Sequence, residues 1–328
     1  MKRLLLAAAL AAFFAGAAQA ADTIKIGALH TTGTGPVFIA DAKGYFTAAG
    51  LDAQIVFFES AQPISIAAAS GDIDIAYTGL TGGFYGLASQ GVLRIVGGGA
   101  RETPGFHYQP FLVSNHAWDG GLHDFKNLPG HSFGVSQIGS PPHYALGLIA
   151  EKFGFDVKTV RIQPLATIAN LAAAIVGGQV DSTMMPGNTA VPVLAQKEAK
   201  LLGYIGDVAP YQLVATIVST KTANERRDMI EKALGALKQG ARDYYDAFTP
   251  GGKPGKGPNE AEILAIVAKG ANQNPEDAGA SLPYIDPEGR LDVEDVLRQL
   301  AWYKAQGMVK GTIGGDVIID RRYITPLS

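Results

Sequence analysis

One motif order occurs twice in this chain at a nearly constant offset, and it limits the possible folds more than any other feature. The apolar run "TIKIGAL" (23–29) is broken by "HTTGTGP", a helical pattern follows from Pro36 to Ala49, and "GLD" (50–52) stops it. A strand pattern "AQIVFF" (53–58), a short helix ending "AAASGDID" and the strand "IDIAYTG" (73–79) complete the unit. Further on, "HSFGVSQ" (131–137), the break "IGSPP", a helix from Pro141 to Phe153 and "GFD" (154–156) repeat the first half. "TVRIQP" (159–164), "AAIVGGQVD" (173–181) and "DSTMMPG" (181–187) repeat the second. Pro36 answers to Pro141 or Pro142, Asp52 to Asp156, and Gly71-Asp72-Ile73-Asp74 to Gly178-Gln179-Val180-Asp181, at offsets of roughly 105 residues.

Alternating strands and helices call for mainly parallel sheets flanked by helices, joined by right-handed crossovers. A duplicated unit calls for two such lobes, each presenting its loops at the carboxyl ends of its strands, with a cleft where the lobes face each other. The expected fold class is therefore α/β and two-lobed. Lobe 1 is expected to be discontinuous, residues 21–112 and 215–328, with residues 113–214 forming lobe 2. The chain would cross over near "QPFLVSNHAWDGG" (109–121) and return along "YQLVATIVST" (211–220). Helical patterns over Ala223–Phe248, Asn259–Ala271 and Asp292–Gln306 are expected to pack on lobe 1, with "TPGGKPGKGP" (249–258) a solvated connector.

The first twenty residues, "MKRLLLAAALAAFFAGAAQA", stand apart from this pattern. Lys2 and Arg3 precede an apolar stretch from Leu4 to Phe14, and Ala18-Gln19-Ala20 is a small-x-small cleavage site. That is a secretory signal peptide, too short and wrongly flanked for a membrane anchor. Cleavage after Ala20 and a periplasmic location are expected. The sequence contains no cysteine, which removes disulfides, thiolate chemistry and a lipidated cysteine at the cleavage point. A formal charge of −3 with no basic stripe argues against nucleic acid as a partner.

"PVFIADAKGYFTAAGLDAQIVFF" with "SGDIDIAYTG", and later "GSPPHYALGLIAEKFGFD" with "GGQVDSTMMPG", resemble the solute-binding proteins of the sulfonate, taurine, nitrate and thiamine-precursor transport family. The resemblance runs from about Ile24 to Leu202. It implies a two-lobed type II binding protein that delivers a small-molecule solute to an inner-membrane ABC permease, works as a monomer and needs no cofactor. Enzymes with a similar architecture are a pyrimidine-precursor synthase, which uses a cysteine-rich iron motif, and hydroxymethylbilane synthase, which holds its cofactor through a cysteine. The absence of cysteine argues against both. A cysteine-free enzyme on this scaffold, or a sensing module for a membrane receptor, are the alternatives. The chain departs from the family where Met184-Met185-Pro186 replaces a large aromatic or acidic residue, which implies an apolar side to the solute.

Candidate binding residues sit in the loops after the strands. In "HTTGTGP", His30, Thr32 and Thr34 offer an imidazole and hydroxyls, with a simple turn as the alternative. Tyr77 and Thr78 end the third strand, Tyr77 being equally at home in a core. Arg101 is a candidate bidentate clamp on a carboxylate or sulfonate, or else an ion-pair partner of a nearby acid. In "GSPPHY", Ser140 is a good N-cap before two prolines, and His143 and Tyr144 follow within a turn. A helix start favours an anion, although the prolines remove two of its amides. As a nucleophile and base, Ser140 and His143 lack an acidic orienter and a Gly-x-Ser-x-Gly elbow. Met185 closes the set as an apolar contact. These groups suit an organic anion with an apolar body, and also an uncharged heterocycle. The six histidines show no metal-ligand spacing, and no phosphate loop of the Walker type occurs.

Overall fold

Two five-stranded sheets, joined by a third of three strands, carry the repeat. In the computed structural model, residues 21–311 and 313–327 are described. The export segment expected at residues 1–20 lies outside the described residues. The strands are β1 (Asp22–Ala28), β2 (Leu51–Phe57), β3 (Ile75–Gly79), β4 (Leu93–Gly98), β5 (Ala100–Glu102), β6 (Pro110–Ser114) and β7 (Ser132–Val135). They continue as β8 (Arg161–Pro164), β9 (Ser182–Met184), β10 (Ala199–Tyr204), β11 (Tyr211–Gln212), β12 (Val214–Ser219) and β13 (Tyr284–Ile285). The first sheet runs β2-β1-β3-β12-β4 and the second β10-β6-β9-β7-β8. Replacing each strand by its repeat partner turns one order into the other. In each sheet one strand, β12 or β6, lies antiparallel to its neighbours, and it is the strand that emerges from the connection between lobes.

The physics of the repeated "Gx[IV]D" is visible here. The aspartate ahead of the third strand accepts a hydrogen bond from a backbone amide of the first. The Lys25 N–H donates to Asp74 Oδ2 at 2.8 Å and the Ser132 N–H to Asp181 Oδ2 at 2.7 Å, both across 49 residues. The glycines of "G[LF]D", Gly50 at φ +78° and Gly154 at φ +76°, take the left-handed conformation that ends a helix and starts the next strand. Every residue of β3 is buried, as expected for a strand covered on both faces.

The third sheet, β11-β5-β13, is the hinge. β5 leads towards the second sheet, β11 returns from it, and β13 braces the pair, with Glu102 opposite Tyr211 and Arg101 opposite both Gln212 and Tyr284. β6 at Pro110 already belongs to the second sheet and β12 at Val214 to the first.

Of the tail helices, Arg227–Phe248 buries Met229, Ile230, Ala233, Leu237, Ala241 and Tyr244 at helical spacing and lies against the helix Gly35–Ala42 of the first lobe. The helix Val293–Ala305 behaves differently from expectation, because it touches both lobes. Tyr85 of the first lobe donates to the Val296 carbonyl at 3.2 Å, and Tyr144 of the second donates to Asp295 Oδ1 at 3.0 Å. The hinge amide of Gln212 donates to Asp295 Oδ2 at 2.7 Å. Trp302 meets the rings of His143 and Tyr144 edge-on, over a glycine, Gly147, that leaves it room. Asp295 and Trp302 thus find their buried partners in the second lobe. No helix among the described residues is long and apolar enough to cross a membrane.

Candidate functional site

Between the lobes lies a cavity of about 70 Å³. The first lobe contributes Leu29, Thr31 and Thr34 after β1, Ser60 and Ala61 after β2, and Tyr77, Thr78 and Gly79 at the end of β3. The second contributes Ser136 after β7, Pro141 and Pro142 at the start of a helix, Met184 at the end of β9 and Pro186 just after it. Tyr108, Gln109, Leu213 and Val214 close the hinge side. Both lobes therefore use their carboxyl-end loops, as the duplicated unit requires.

None of the lining residues is charged. The polar groups are hydroxyls and one amide. Thr34 donates to the Leu29 carbonyl at 2.8 Å, and Gln109 Oε1 accepts from Tyr211 at 3.1 Å. Thr78 Oγ1 is buried and has no partner. Several helix starts near the cavity have few amides to offer, although the helix Ala61–Ser70, which begins at the lining residues Ser60 and Ala61, has no side-chain cap on its first amides. Pro141 and Pro142 have at most ring atoms to offer, the Gly187 N–H donates to the Tyr108 carbonyl at 2.8 Å, and the Gly82 N–H to the Gly139 carbonyl at 2.8 Å. At the helix starts of the second lobe, what anion sites usually use is absent or already engaged.

Bonds across the cleft hold the lobes together. Gln137 Nε2 donates to Ser60 Oγ at 2.9 Å, and on the other side Asn188 Nδ2 donates to the His30 carbonyl at 3.0 Å. Gln273 donates from the first lobe to the Asn188 carbonyl.

Of the residues singled out in the sequence, Thr34, Tyr77 and Thr78 line the cavity. The others do not. His30 stacks on Phe57 and donates from Nδ1 to the Gly270 carbonyl at 2.8 Å. Thr32 donates to the Ser281 carbonyl at 2.7 Å. Arg101 pairs with Asp292, because its strand sits in the hinge and its side chain turns towards the tail. Ser140 is buried with its hydroxyl unpartnered and does not cap its helix, while its neighbour Pro141 lines the cavity. The His143 Nδ1 accepts from the Gly139 N–H at 3.1 Å, closing its own loop, and burial pulls its pKa down to about 4. Tyr144 is a core residue bound to Asp295. Met185 packs with Leu171, Val180 and Val193, and the neighbouring Met184 lines the cavity instead, since successive strand residues face opposite ways. Ser60, Ser136 and Gln109 also line the cavity and are not among those candidates. The signal for the first two was their place just past a strand end.

One carboxyl in the hinge is unlike the rest. Glu102 is 0% exposed and neither carboxyl oxygen has a hydrogen-bond partner. Burial pushes its pKa well above the usual carboxylate range, the Asp207 carboxylate adds to the rise, and the Gly206 and Gln109 amides oppose it from imperfect positions. A raised value means that the folded state holds the proton more tightly than the unfolded chain. Stability contributed by Glu102 is then greatest below pH 4.5 and declines as pH rises above it. Glu102→Gln should stabilise the protein at pH 7 by about 1–3 kcal/mol. The gain should fade as pH falls to 4.5 and below. Thermal melts of both proteins at the two ends of that range check the sign.

Two α/β lobes, each with its strand order set by the same repeat, hinged by paired strands and closed over a central cavity, define the periplasmic-binding-protein fold. A model of the NMT1/THI5-like family matches residues 31–247, and the chain belongs to that family. A sequence search of the curated proteins finds no match. Among solved structures, the periplasmic aliphatic sulphonate binding protein SsuA from Escherichia coli is 18% identical with a TM-score of 0.70, the match covering 94% of each chain. The periplasmic nitrate-binding protein NrtA from Synechocystis PCC 6803 is 13% identical with a TM-score of 0.70, covering 92% of this chain and 86% of that one. The desulfurization enzyme DszB is 16% identical with a TM-score of 0.59, covering 93% of this chain and 96% of its own.

Proposed function

We propose that this protein captures a small, uncharged solute with an apolar body between its lobes, in the periplasm, and delivers it to the inner-membrane permease of an ABC importer. The carrying observation is the character of the cavity, which offers hydroxyls, a side-chain amide and apolar walls but no charged side chain. A sulfonate- or carboxylate-like anion, the class suggested by Arg101 in the sequence, would meet no cation there, and Arg101 is already paired with Asp292. Two prolines at the helix start weaken the case for an anion further. The buried, unpartnered Thr78 hydroxyl offers one specific hydrogen bond to the solute. Family membership and likeness to SsuA and NrtA support the transport role.

The cavity also favours binding over turnover. It contains no histidine, carboxylate or lysine to move a proton, and the Ser140–His143 pair does not face it. Native mass spectrometry of gently purified protein should find a co-purifying neutral molecule. In thermal-shift titrations, small amides, alcohols and uncharged heterocycles should raise the melting temperature. Sulfonates, carboxylates and nitrate should not. A response confined to anions, weakening as salt is added, would overturn the uncharged class while leaving the transport role standing.

A further inference from the structure

Behind Tyr77 lies a second cavity, of about 180 Å³, inside the first lobe. Leu234, Leu237 and Ala241 of the helix Arg227–Phe248 form one wall and Val96 with Gly97–Gly99 the other, while Thr216, Thr325 and the paired Lys238, Asp286 and Glu288 add polar groups to the lining. The second wall is locally irregular. β12 pairs Thr216 with Gly97 but Ile217 with Ile95, so Val96 stands unpaired in a bulge facing this space. Tyr77 is shared between this cavity and the cleft. It is 3% exposed, and its hydroxyl, beside Gly99 and the Ala100 amide, makes no formed hydrogen bond. A fully buried phenol without a partner costs free energy that a bound acceptor would recover.

The charges around the mouth are spoken for. Lys238 and Arg242 pair with Glu288, and Arg290 with Asp286. The opening runs past Gly235, where an added Cβ would meet no heavy atom within 4 Å. Size, the two apolar walls and the buried, unpartnered Tyr77 hydroxyl together specify a guest. Apolar cavities of about 150 Å³ take up benzene-sized molecules.

We infer that this cavity is a second binding site, for an uncharged molecule of benzene to phenol size whose one oxygen accepts a hydrogen bond from Tyr77. The inference does not depend on the solute of the cleft.

The probes are phenol and toluene, added to the purified full chain and followed by ligand-observed NMR. Phenol should bind saturably. Tyr77→Phe should weaken phenol by roughly 2–10-fold, the worth of one hydrogen bond, and leave toluene unchanged. Gly235→Phe, at the exposed mouth, and Ala241→Phe, inside, should each abolish the binding of both. If Ala241→Phe does not fold, Gly235→Phe carries the test alone. Absence of saturable phenol binding up to about 10 mM overturns the inference, since it corresponds to less than roughly 3 kcal/mol of affinity. So does phenol binding that survives Gly235→Phe but is lost when Pro142→Trp fills the cleft.

Discussion

Gly79→Val should abolish solute capture while leaving the empty protein folded. Gly79 ends β3 at the floor of the cleft, and a Cβ built on it would stand 2.8 Å from Pro141 Cγ of the opposite lobe. Valine suits the end of a buried strand, so the first lobe tolerates it. What it cannot tolerate is the closed arrangement, where the two loops meet. We expect solute affinity to fall by about a hundredfold or more, roughly 2.8 kcal/mol, with the melting temperature of the solute-free protein shifted by only a few degrees. Calorimetric titration with the co-purifying solute measures the first quantity and a thermal melt the second. Wild-type affinity in this variant would mean that capture does not bring Gly79 and Pro141 together.

Asp295→Ala should cost more stability than any other single change on the back of the molecule. Its carboxylate, 5% exposed, accepts from Tyr144 of the second lobe, the Gln212 amide of the hinge, and Gln299 and Arg298 of its own helix. Alanine leaves the buried Tyr144 hydroxyl and Gln212 amide unpaired, while the half-exposed Arg298 can turn to water. A loss of about 3–5 kcal/mol follows, seen as a melting temperature lower by on the order of 10 °C. Asp295→Asn retains one acceptor oxygen and should lose less. Chemical denaturation with both variants tests the order.

The parts of the fold that a reader could take from the sequence are those written in local patterns. Asp74 and Asp181 stand in the same four-residue motif because each fastens its third strand to its first. The tail helices expected over Asn259–Ala271 and Asp292–Gln306 occur as Glu260–Gly270 and Val293–Ala305. The site was harder to read because its decisive contacts are distant or turn on one residue of register. The partner of Arg101 lies 191 residues away, and nothing near either residue announces it. Met184 ends β9 and faces the cavity, while Met185, one residue on, packs the other way, so a single step of register separates a lining residue from a core one. His143 sits where both a solute ligand and a loop-closing acceptor are chemically reasonable, and only the Gly139 amide decides between them.

The helix Val293–Ala305 also governs how the molecule can yawn. At one corner of the mouth, Tyr303 donates to the Gly139 carbonyl at 3.0 Å, so a rod anchored in both jaws stands directly behind that corner. At the other corner the fastening is a pair of side-chain amides, Asn188 on the His30 carbonyl and Gln273 on the Asn188 carbonyl. Side-chain amides let go more readily than a buried rod can bend. If the lobes part to take up a solute as proposed, the Asn188 corner is the one expected to open first.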